Sequence, residues 1–198
     1  MSYTAWAENT ARSLLRDPLP RRWAHVRQVA ATARTLAPVA GDHADLLTAA
    51  AWLHDVGYAP AISDTGFHPL DGARHLRHAE RADDLLCRLV AYHSCAVIEA
   101  AHRGLAATLA REFRPPPPAL ADALTYCDMT TGPDGQPMPV HQRLAEARTR
   151  YGPGHVVSRS LARSGPHLTA SVTRVTAKLD DARTARRTAC RSPLAAAA

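Results

Sequence analysis

Between its proline and glycine breaks, the chain sets apolar residues three and four positions apart, the repeat of a helix with one buried face. Leu46, Leu47, Ala50 and Leu53 follow it, as do Leu85, Leu86, Leu89 and Val90, and later Leu168, Val172, Val175 and Leu179. Ala and Leu dominate, whereas the strand formers Ile, Phe and Tyr are scarce. The sequence therefore predicts an all-α protein. Its 198 residues fit one domain with a sizeable core.

Proline and glycine set the expected boundaries. Asp17-Pro18-Leu19-Pro20 closes a helix over roughly residues 3–16. The next helix starts near Pro20 and is stopped by Pro38. Asp42 is a candidate N-cap for the helix that delivers His54-Asp55, with Gly57 as its C-terminal stop. Pro69, at a first helical position, puts His68 where loop and helix meet. Helices are expected over roughly 80–93 and 96–113, then a stiff connector at Pro115-Pro116-Pro117-Pro118. The helix carrying Leu120 and Leu124 follows, then a polar turn over Met129–Gly135. Further helices are expected over Val140–Arg150, roughly 155–163, and from about Pro166, with fraying from Thr184 to Ala198.

Four helices carry a metal-competent residue where an apolar one is expected. His25 shares a stripe with Val29, Thr32 and Leu36. His54-Asp55 ends the apolar run Ala49–Leu53; His93 extends Leu85 and Leu89; Asp128 extends Leu120 and Leu124. An aspartate on an apolar stripe needs a metal or cation to offset its desolvation. One buried histidine is ordinary, but imidazoles and carboxylates directed inward from several helices build metal centres in bundles. His68 adds a sixth candidate. Nitrogen and carboxylate oxygen suit divalent transition metals, so neither Cys95 nor Cys127 is needed as a ligand. The four cysteines form no CxxC pair and read as reduced thiols. His75 and His78 read as surface residues.

The order His25 … His54-Asp55 … Asp128 resembles the HD superfamily of metal-dependent phosphohydrolases over roughly residues 20–130, and His54-Asp55-Val56-Gly57 is similar to its namesake motif. The resemblance implies an HD-type helical bundle in which His25, His54, Asp55 and Asp128 hold a first divalent ion. His68 and His93 stand where the two-metal subgroup has its further ligands. They would hold a second ion bridged by Asp55, with His54 and Asp55 at the catalytic centre. The spacing is similar to bacterial HD-type hydrolases of diadenosine tetraphosphate, and the segment from Asp128 to Gly135 to actinobacterial HD-domain proteins. Val56-Gly57-Tyr58-Ala59 lacks the Glu-Asp pair of the (p)ppGpp-hydrolase branch, and Gly57-Tyr58-Ala59-Pro60 is not the GYP signature of the cyclic-di-GMP branch.

The activity so implied is hydrolysis of a phosphate ester or anhydride, in a nucleotide, by water activated between two manganese, iron or other transition ions. The alternatives are an HD-fold di-iron oxygenase and a nucleotide-binding regulator without turnover. Arg21 and Arg22, one turn before His25, and Arg143 and Arg150, beyond Asp128, are candidate phosphate-steering cations. Half of the net charge of +6 lies from Lys178 onward, and the rest suits a small phosphorylated substrate. Nucleic acid is not expected, since no basic helix is interleaved with aromatic residues. No apolar run approaches the ~20 residues of a membrane span. Met1–Trp6 lacks the basic start and apolar stretch of a secretory signal, so the cytoplasm is the expected location. The expected layout is an N-terminal helix over 1–19 packed on an HD domain over 20–130, a helical extension over 131–182 and a disordered tail over 183–198.

Overall fold

The computed structural model describes residues 2–191, with side chains through residue 188. Its helices are α1 (Tyr3–Leu15), α2 (Pro20–Thr35), α3 (Ala37–Ala40), α4 (Ala44–Leu53), α5 (His68–His78), α6 (Asp84–Tyr92), α7 (Ala96–His102), α8 (Ala106–Glu112), α9 (Pro118–Met129), α10 (Val140–Tyr151) and α11 (Val156–Arg191). Among the described residues there is no strand, and one isolated bridge joins Thr131 to Pro137. The fold is all-α. None of the helices is long and apolar enough to cross a membrane.

The bundle is built around α4. Every residue from Leu47 to Leu53 is buried, as a helix that is apolar all round requires. The small side chains of Ala49, Ala50 and Ala51 leave room for α1, α2, α6 and α9 to pack against it. On α2 the buried stripe is His25, Val26, Val29, Ala30 and Ala33. α5 pairs with α6, while α11 lies against α7, α9 and α10. The end of α4 is therefore enclosed, and whatever follows Leu53 emerges in the interior.

Several boundaries differ from the sequence reading. The stretch expected as one helix over 96–113 is two, α7 and α8, parted at Gly104, whose φ of +72° only glycine adopts freely. Asp42 caps nothing; it is exposed in a 3-10 turn, Gly41–His43, that leads directly into α4. Gly57 is not a left-handed stop. A Cβ there would lie 2.0 Å from the His68 carbonyl oxygen and 2.6 Å from the Gly72 nitrogen, so glycine is what lets the start of α5 approach. Pro166 begins no helix either, since α11 passes through it. Proline removes one backbone donor, but it sits on the exposed face while Leu168 and Val175 are buried. α11 continues to Arg191, so Thr184–Arg191 is helical; the rest of the expected tail, residues 192–198, lies outside the described residues. Cys87, Cys95 and Cys127 are free thiols, and the side chain of Cys190 lies outside those described.

Candidate metal centre

Two histidines are placed by the same local device. His54 directly follows the end of α4, and His93 the end of α6. Each ring turns back on its own last turn: His54 Nδ1 lies 2.8 Å from the Ala51 carbonyl, and His93 Nδ1 lies 2.6 Å from the Val90 carbonyl. A carbonyl can only accept, so each Nδ1 carries the hydrogen and each Nε2 keeps a lone pair. The same bonds satisfy carbonyls that a helix end leaves open. His25 reaches this tautomer differently, its Nδ1 donating over 3.0 Å to the Gly132 carbonyl. The polar turn after α9 thus fixes a ring on α2. Among the described residues His68 has no such carbonyl bond. Its ring is instead stacked on Tyr58, with centroids 3.8 Å apart and planes 17° from parallel.

The Nε2 atoms converge on two carboxylates. Ligand atoms of His25, His54 and Asp128 lie within 4.8 Å of one another, and so do those of Asp55, His68 and His93. Asp55 stands between the groups. Its Oδ2 is 3.4 Å from His54 Nε2 and 3.8 Å from His25 Nε2, while its Oδ1 is 3.3 Å from His68 Nε2 and 3.7 Å from His93 Nε2. Asp128 Oδ1 is 3.1 Å from His25 Nε2, and its Oδ2 accepts a hydrogen bond from the Ser94 hydroxyl. The buried His54 Nε2 has no hydrogen-bond partner. A buried lone pair left unmet is costly, and a divalent ion would meet it. The nitrogen and oxygen donors fit such an ion. All six residues singled out in the sequence fall in these two groups, and neither Cys95 nor Cys127 does.

The electrostatics favour positive charge here. Burial works against ionisation of Asp55, but Arg22 and His54 outweigh it and hold its carboxyl well below the ordinary range. Asp128 is likewise held down, burial being overcome by His25 and His54. For His54, burial opposes the imidazolium, yet Asp55 and Asp128 raise its pKa. The field that draws a proton to His54 would equally draw a metal cation. Burial, with His68 and His54 adding to it, pushes His93 down to about 3. Near neutral pH both carboxylates are ionised and His93 is neutral, the forms that ligate.

Around the centre lies a cleft enclosing about 720 Å³ of empty space, its open mouth included. Arg22 lines it, with Nη1 2.6 Å from Asp55 Oδ2 and the guanidinium 4.1 Å from the centroid of Tyr58. Tyr58 is therefore held between Arg22 and His68, and burial, with Tyr151 adding to it, holds its hydroxyl pKa well above the ordinary value. Arg143 and Arg150 line the cleft from α10, at 2.7 and 2.8 Å from opposite oxygens of Glu146. Arg143 keeps a buried Nε with no hydrogen-bond partner. Arg21 lies away from the cleft and pairs with Asp134 at 2.6 Å. Spacing alone does not separate it from His25, four residues on; what sets it apart is its exposed ion pair with Asp134.

Sequence reasoning missed Tyr58, Ser94 and Tyr151. Ser94 and Cys95 both have positive φ, 47° and 59°, a left-handed conformation costing roughly 1–2 kcal/mol for each non-glycine residue. This bend separates α6 from α7 and carries the Ser94 hydroxyl to Asp128. Adjacency to His93 and to the His54-Asp55 turn was the available signal for Ser94 and Tyr58; Tyr151 had none.

A family model described as HD domain matches residues 22–140. Comparison with curated proteins and with solved structures gives no match.

Proposed function

The chain belongs to the HD domain family, and from that premise we propose that it is a metal-dependent phosphohydrolase acting on a phosphate ester or anhydride. The observation that carries this reading is the placement of Asp55, whose two carboxylate oxygens face two separate ligand groups. His25, His54, Asp128 and Asp55 would hold one divalent ion, and Asp55, His68 and His93 a second. Bound there, the ions supply an acidified water and offset charge on the phosphoryl oxygens.

The remaining work falls to the chain's own groups. Arg22, Arg143 and Arg150 bind phosphoryl oxygens, a task suited to the guanidinium fork. The unmet Nε of Arg143 makes it the arginine with most to gain from an anionic ligand. Ser94 orients Asp128, and the carbonyl bonds hold three imidazoles in the ligating tautomer. Nucleotides belong in the substrate panel because of the sequence resemblance.

Phosphate release by the manganese-loaded full chain tests the proposal. His54→Ala and Asp55→Ala are each expected to lower it more than about a hundredfold, beyond the cost of losing a ligand's outer partner. Release that survives both changes overturns the reading. An iron-loaded sample that consumes oxygen without releasing phosphate would make the protein an oxygenase, and nucleotide binding without turnover in either metal a regulator.

A further inference from the structure

The cleft has two chemically different walls. One holds Asp55, His68, His93, Asp128 and Arg22. The other is aliphatic: α11 contributes Val157, Leu161 and Leu168, with Ala96 of α7 and Ala147 of α10 beside them. The last residues of this set are deep, Leu168 being fully buried and Ala147 nearly so. Ser160 on the same wall is already engaged, with His102 at 2.9 Å and the Val156 carbonyl at 2.8 Å. Glu99 is likewise engaged, by Arg103 at 2.7 Å.

A nucleobase is recognised by stacking on an aromatic face and by partners for its polar edge. Both tyrosine rings in the cleft are in use. Tyr58 lies between Arg22 and His68, at 4.1 and 3.8 Å. Tyr151 stacks on His155 at 4.7 Å and carries the Arg150 guanidinium 4.6 Å from its centroid. Among the described residues lining the cleft there is no asparagine or glutamine. The aliphatic wall instead offers burial to methylene groups.

We infer that the organic part of the substrate is a short aliphatic group seated against Val157 and Leu161 of α11, with its phosphoryl group toward the metal ligands and arginines. This rests on the phosphohydrolase reading and narrows it, placing small alkyl phosphate esters ahead of nucleotides.

Calorimetric titration of the manganese-loaded full chain with n-alkylphosphonates, methyl through hexyl, tests the inference independently of turnover. Affinity is expected to rise about fourfold for each of the first few methylenes buried. Nucleoside 5′-monophosphates are expected to bind no more tightly than inorganic phosphate. Leu161→Asn is expected to flatten the series. A flat series in the unmodified chain, an unaltered slope in the variant, or a nucleoside monophosphate binding more than about tenfold tighter than phosphate overturns the inference. Hydrolysis of n-butyl phosphate and of nucleotides is scored separately. A rising series without any phosphate release keeps the aliphatic seat and overturns the phosphohydrolase; nucleotide hydrolysis with a flat series does the reverse.

Discussion

The Nε2 atoms of His68 and His93 lie 3.1 Å apart, in rings tilted 58° to one another. The Nδ1 hydrogen of His93 is taken by the Val90 carbonyl, so its Nε2 presents a lone pair to a neighbouring ring nitrogen and to Asp55. Such a pair is stable around a shared cation. His68→Ala and His93→Ala should each lower the metal content from about two ions per chain to about one. The ion at His25, His54 and Asp128 should remain. Elemental analysis of chelator-free protein reads this directly, and an unchanged content in both variants counts against a second site.

Tyr58 should control that second site without ligating it. Its ring is the contact that orients His68. Tyr58→Leu is expected to weaken the second manganese by about ten- to hundredfold, the usual cost of losing a ligand's outer partner. Tyr58→Phe keeps the ring and loses only the hydroxyl, so it should stay close to the parent. Two-site calorimetric titration separates the outcomes; equal weakening in both variants would assign the effect to the hydroxyl.

Gly57→Ala tests the close approach of α5. The added Cβ meets backbone atoms at 2.0 and 2.6 Å, and no side-chain rotation can relieve that. A loss of about 1–3 kcal/mol is expected by denaturant unfolding, as for other overpacked sites. His68 starts the displaced helix, so metal content should fall as well. A variant with parental stability would mean that this junction yields more readily than its geometry implies.

An acid-range effect is expected away from the centre. Arg74 donates to both oxygens of Glu112, at 2.8 and 2.7 Å, and this contact holds the Glu112 carboxyl below its ordinary range. A carboxylate with a depressed folded pKa stabilises the fold above its unfolded value and loses that contribution as pH falls through the folded one. Glu112→Gln should therefore melt lower than the parent at neutral pH. The gap, about 1 kcal/mol or less for so exposed a pair, should close as pH drops below the usual glutamate value near 4.3. Melting curves across that range check the sign, and a gap that widens in acid would contradict it.

Helix positions and the inward placement of the six candidate side chains were legible because both follow a local repeat. Asp128 stood out as a charge on an apolar stripe, and it is buried beside His25. What depends on chains meeting in space was not legible. The Gly132 carbonyl that sets the tautomer of His25 lies in a turn after a different helix. Tyr58 and Tyr151, far apart in sequence, line the same cleft. Gly57 looked like a helix stop because glycine's freedom is the commoner local reason for its use, whereas here its missing side chain matters to a neighbour. Pro166 misled likewise, since packing on both sides of it carries α11 through a residue that propensity alone would make a boundary.

Apart from Ala96, the two walls of the cleft come from different lengths of chain. The six candidate ligand side chains and Arg22 all lie within residues 22–140, while Arg143, Arg150, Tyr151 and the face of α11 lie after them. The candidate metal groups and the far side of the cleft can therefore diverge separately. A descendant that exchanged its last two helices would be expected to keep the candidate metal groups and Arg22 while presenting different cations and a different apolar face to whatever enters the cleft.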